Sequence, residues 1–130
     1  MKHDEFIIIR EVQRRAGLGS REAAEAASAA TLGTLSEHLA GGEPRDLAAQ
    51  LPDELAAYLR RPEESRGESF SAKEFFRRVG DREGAAGDEA QGHALAVLET
   101  MNEMVSPGEL EDLQEQLPPE LAAMLGDDST

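Results

Sequence analysis

Apolar residues recur along this chain at spacings of three and four, the period of a helix with one buried face. Phe6, Ile8, Ile9 and Val12 mark the first such stretch, from Asp4 to Arg15, which stops in Ala16-Gly17-Leu18-Gly19. Ser20 follows as an N-cap, with Glu22 in the first turn of the next helix. The stripe of that helix passes through Ala24, Ala27 or Ser28, Thr31 or Leu32, Leu35 and Leu39 to about Ala40, and Gly41-Gly42 ends it. Pro44 opens a third helix with Leu47 and Leu51 on one face.

The same order then returns. Ser71-Ala72-Lys73-Glu74 has the form of a capping box directly before Phe75, Phe76 and Val79. A turn from Gly84 to Gly87 follows, then a long helix with Ala90, Ala94, Val97, Leu98, Met101 and Val105 on its apolar side. Ser106-Pro107-Gly108-Glu109 caps the next helix, with Ser at N-cap, Pro at N1 and Glu at N3. The string DLAAQLPDELAAYL (46–59) recurs 66 residues later as DLQEQLPPELAAML (112–125), identical at ten of fourteen positions. The pattern predicts an all-α fold, two similar four-helix repeats packed as one pseudo-two-fold bundle. The expected divisions are repeat 1 over 4–60, a polar linker over 61–69 (RPEESRGES), repeat 2 over 70–126 and a disordered tail over 127–130.

Pro52 and Pro118 interrupt the rows of leucines spaced by four. A proline inside a helix loses a hydrogen bond and clashes with the carbonyl four residues back, at about 3 kcal/mol or more. Gln50-Leu51-Pro52 and Gln116-Leu117-Pro118 are therefore read as structural bends, each a helix, a corner and a second short helix. A side-chain amide can bond the backbone groups that a corner frees, so Gln50 and Gln116 are each expected to stitch their own bend.

On these residues the chain resembles the bacterial domain-of-unknown-function family numbered 2267. The matching segments run from about Glu5 to Tyr58 and from Phe70 to Met124. The resemblance rests on Phe75-x-x-x-Val79, on Ala90 with Leu98, and on Gln116-Leu117-Pro118. The first half departs by carrying Phe6-Ile7-Ile8-Ile9 before Val12. The resemblance implies two similar helical repeats and implies no function.

Charge narrows the partners. The net charge is −14, which argues against nucleic acid and anionic membranes. From Glu83 onward there are twelve acids and no Lys or Arg, whereas 60–82 holds seven basic residues against five acids. Attraction between the basic middle and the acidic end is expected. Glu109, Glu111, Asp112 and Glu115 are the candidate partner-docking acids, for a basic protein partner, and a homodimer is compatible with the same pattern.

With no Cys, thiolate nucleophiles, thiolate metal sites and disulfides are excluded. No apolar run approaches a membrane span and no signal-peptide pattern is present, so a cytoplasmic location is expected. His3, His38 and His93 have no ligand spacing and no symmetric placement in the repeats, so no metal, cofactor or catalytic residue is assigned. Ser20, Ser71 and Ser106 all have capping explanations. Gly80, Gly84 and Gly87 form a turn, since no strand precedes them. The function expected is a non-enzymatic interaction or scaffold module with an acidic surface. The alternative is a small-ligand or metal-binding protein using the crevice between the repeats.

Overall fold

In a computed structural model the described residues are 5–39, 43–59, 68–85 and 87–126, and they contain helices and no strand. Helix α1 spans Glu5–Ala16, α2 Arg21–His38, α3 Glu43–Ala48 and α4 Asp53–Ala56, the last continued by a 3-10 turn over Ala57–Leu59. Then come α5 (Ala72–Glu83), α6 (Gly87–Met104), α7 (Pro107–Gln116) and α8 (Pro119–Gly126). All-α is thus the fold. Gly41-Gly42, most of the expected linker (61–67) and the tail (127–130) lie outside the described residues, as does His3.

Local chemistry sets the helix ends. Ser20 Oγ accepts from the Ala23 amide and Ser71 Oγ from the Glu74 amide, each at 3.1 Å, which satisfies one orphan donor per helix start. The Glu74 half of the expected capping box takes other partners, because both its carboxylate oxygens accept from arginines, Oε1 from Arg77 and Oε2 from Arg77 and Arg78. At the far end of α1, Gly17 adopts φ +67°, with Leu18 N–H on Gln13 O and Gly17 N–H on Arg14 O. That pair of bonds is a Schellman closure, for which glycine supplies the left-handed residue without steric cost. Gly84 (φ +80°) ends α5 in the same region of backbone space.

The two 18-residue helices, α2 and α6, lie against each other, and each also packs on both 12-residue helices, α1 and α5. Alanine makes this close approach workable: Ala24, Ala27, Ala90 and Ala94 are all fully buried. One apolar cluster takes Ile8, Ile9 and Val12 from α1, Leu32 and Leu35 from α2, Phe75 and Val79 from α5, and Leu98 and Met101 from α6. Thr34 and Thr100 are buried inside it, and each hydroxyl donates to the carbonyl four residues back at 2.8 Å, so neither polar group is stranded. Gly80 lets the α5–α6 hairpin close: a Cβ there would stand 3.0 Å from Ala85 O and 3.3 Å from the Ala90 methyl.

Candidate functional site

At each proline corner one helix gives way to another, α3 to α4 around Pro52 and α7 to α8 around Pro118. In the first, the amides of Gln50 and Leu51 bond the carbonyls three residues back, which tightens the end of α3. Pro52, extended at ψ 151°, then stands at the N-cap of α4, and its carbonyl accepts from Leu55 and Ala56. In the second, Pro118 precedes α8, Pro119 is its first residue, and Ala122 N–H bonds Pro118 O. The leucines face inward: Leu47, Leu51, Leu55 and Leu59 are buried, as are Leu117 and Leu121, while the side chains of Leu113 and Leu125 lie outside the described residues. Each buried leucine contributes about 1.5–3 kcal/mol of apolar burial.

Gln50 corrects one expectation. It does not stitch its own bend but turns both ends of its amide to Ser106, 56 residues on. The Ser106 amide donates to Oε1 at 2.7 Å, and Nε2 donates to Ser106 Oγ at 3.4 Å. The first corner thereby holds the start of α7. The other end of α7 is held by His38, whose Nε2 meets Gln116 O and whose Nδ1 stands 3.0 Å from Glu68 O. A carbonyl oxygen only accepts, so in each contact the ring nitrogen is the donor when it carries the proton. The His38 ring also meets the edge of Phe70 at 4.9 Å. Helix α7 is thus fixed at both ends by polar groups from the first half of the chain.

Between those ends stand the candidate acids. Glu111 and Glu115 are exposed and one turn apart on α7, whereas the side chains of Glu109 and Asp112 lie outside the described residues.

Among the described residues of 60–82, Arg77, Arg78 and Arg82 pair with acids other than those of the C-terminal stretch. Arg78 donates to Glu68 (2.6 Å), Glu74 (2.8 Å) and Glu37 (3.3 Å) and lies 4.2 Å over the Phe70 ring. Arg77 pairs with Glu74 and Asp81 on its own helix. None of these acids belongs to the stretch after Glu83. The bonds from Arg77 and then Arg78 hold the Glu74 carboxyl down at about 2, and those from Arg14 and then Arg15 do the same for Glu11. Two longer-range pairs were not legible beforehand. Arg15 of α1 reaches Glu103 of α6, and Arg82 of α5 reaches Glu37 of α2, both at 2.6 Å.

One further pair escaped the sequence reading. His93 Nδ1 meets Glu83 Oε2 across the α5–α6 hairpin, both side chains largely buried, and Glu83 Oε1 is buried without a hydrogen-bond partner. Ten residues and a glycine turn separate them, so only the hairpin brings them together. A carboxylate-oriented imidazole is half of a metal-ligand or acid–base arrangement. Among the described residues no group of three or more His, Asp or Glu is placed to hold a metal ion. Neither residue lines the two described hollows, one of about 890 Å³ along α1 (Ile7, Arg10, Arg14, Leu18) and one of about 450 Å³ among Lys73, Phe76, Arg77, Asp88 and Glu120.

Compared with protein-family models, residues 3–124 match the uncharacterized conserved protein family DUF2267. The chain belongs to that family. The match runs through both proline corners and through every helix of this DUF2267 chain as far as Met124, in line with the resemblance carried by Gln116-Leu117-Pro118. The comparison with curated proteins finds no match. No helix among the described residues of the DUF2267 chain is long and apolar enough to cross a membrane. Its two described hollows are each lined from one half of the chain, Ile7 to Leu18 or Ala72 to Glu120, not from the crevice between halves.

Proposed function

We propose that the chain is a non-enzymatic interaction module in which α7 presents its carboxylates to a basic protein partner. The observation that carries this is the exposure of Glu111 and Glu115, one turn apart, on a helix anchored at Ser106 by Gln50 and at Gln116 by His38. A helix held at both ends loses little conformational freedom on binding, which lowers the cost of association. No Lys or Arg follows Arg82, so the stretch of chain that holds α7 supplies neither to these carboxylates.

The same proposal takes residues 4–60 and 70–126 as two repeats, joined by 61–69 and packed as one body with pseudo-two-fold symmetry. The reciprocal pairs support it: α1 of the first half binds α6 of the second through Arg15–Glu103, and α5 of the second binds α2 of the first through Arg82–Glu37.

The test is co-precipitation from cell extract with the wild-type chain and with E111R/E115R, at about 50 and about 500 mM salt, between which the screening length shortens roughly threefold. A basic protein retained at low salt by the wild type, lost at high salt and lost in the double variant, supports the reading once the binding is reproduced with purified components. Equal recovery by both chains contradicts it. The competing reading, a small ligand or metal between the repeats, would instead show as a bound species that survives high salt.

A further inference from the structure

Helix α1 sends Ile8, Ile9 and Val12 into the core and leaves Ile7 58% exposed. The fold does not require an apolar residue there. In the corresponding helix α5, which is also twelve residues long and carries Val79 where α1 carries Val12, the place of Ile7 is taken by Glu74. Beside Ile7 on the same face stand Arg10 and Arg14, both exposed, with the Arg14 side chain 70% accessible. Arg10 also lies 5.9 Å from the centre of the Phe6 ring. Ile7, Arg10, Glu11, Arg14 and Leu18 line the larger hollow, an open, partly apolar trough with two guanidinium groups, of which Arg14 is paired with Glu11.

We propose that this face of α1 receives α7 from a second copy of the chain. Arg10 and Arg14 are four residues apart on one helix, and Glu111 and Glu115 are four residues apart on another. Four residues advance a helix by about 6 Å, so two helices laid side by side place both pairs in register together. The match also holds locally in sign: Arg10 and Arg14 are cations on α1, and α7 lies in the stretch after Arg82, which holds no Lys or Arg. In a two-fold dimer each copy offers both faces, which gives two equivalent contacts and a closed assembly. The inference rests on the proposed docking role of α7 and names the surface that fills it.

Two such helix contacts make a small interface at the weak end of the usual range, so the association is followed at high protein concentration. The experiment is sedimentation equilibrium of the full chain from about 10 to about 500 µM at low and high salt. The expected result is a mass that rises from 14.0 kDa toward twice that value at low salt and returns at high salt. R10E/R14E and E111R/E115R should each weaken self-association at least about tenfold, and the four substitutions together should restore it, because opposite charges are again in register. I7E should weaken it with every charge pair intact, and circular dichroism shows that each variant is folded. A monomer at all concentrations overturns the inference, as does a dimer indifferent to I7E and to the charge reversals. If E111R/E115R still abolishes capture of a basic partner while the wild type stays monomeric, self-association fails and the docking role of α7 stands.

Discussion

Gln50 and Ser106 are bonded twice across the two halves of the chain, through the Ser106 amide at 2.7 Å and through its hydroxyl at 3.4 Å. One side-chain amide thus fixes the entry of α7. Gln50→Ala removes both bonds and should lower stability by about 1 kcal/mol, the usual worth of such a contact. Urea unfolding measures the loss, and hydrogen exchange at the Ser106 amide should speed up. An unchanged exchange rate at that amide would show that Gln50 does not hold it.

The reciprocal arginine pairs are partly exposed, so each is modest. Double-mutant cycles on Arg15 with Glu103 and on Arg82 with Glu37 should each return a coupling of about 0.5–1 kcal/mol that shrinks in high salt. Glu37→Ala alone should cost more than Glu103→Ala, since Glu37 receives both Arg82 and Arg78. Equal single costs would mean that the Arg78 contact contributes nothing.

Glu11 and Glu74 have carboxyls held at about 2 against an ordinary 4.5, by hydrogen bonds from Arg14 and Arg77 first. A depressed acid stabilises the folded chain above its unfolded pKa and loses that contribution as pH falls through the folded one. Stability should therefore decline between about pH 4.5 and pH 2. Glu74→Gln should flatten that decline in urea titrations across the window, and a slope unaffected by the substitution would remove Glu74 from the account.

Glycines separate tight from open positions. Gly80→Ala forces a methyl against Ala85 O and the Ala90 side chain and should destabilise by about 1–3 kcal/mol. Gly92→Ala meets nothing within 4 Å in the middle of α6 and should stabilise by about 0.5–1 kcal/mol. Thermal melts of the two variants should move in opposite directions.

The parts legible in the sequence are those decided locally. Ser20 and Ser71 cap from three residues away, and Pro52 and Pro118 turn the chain where they stand. The buried leucines follow from spacing alone. The polar contacts that join the halves are not local: His38 and Gln116 are 78 residues apart, and Arg15 and Glu103 are 88 apart. Periodicity places Arg10 and Arg77 on matching turns, yet Arg77 pairs within its own helix, and the arginines seen to cross between helices are Arg15, Arg78 and Arg82. Spacing puts Phe6 with Ile8, Ile9 and Val12 on the apolar face, yet Phe6 is exposed as Ile7 is, because four consecutive apolar residues cover every side of a helix. Packing against α2 and α6 decides which of them are buried.

The docking role of α7 is tested most directly by amide hydrogen exchange on the full chain, alone and with the basic protein that it retains at low salt. Binding should slow exchange over 107–116 in the wild type and leave that helix unchanged in E111R/E115R. Protection over 72–91, around the smaller hollow, with none on α7 would contradict it.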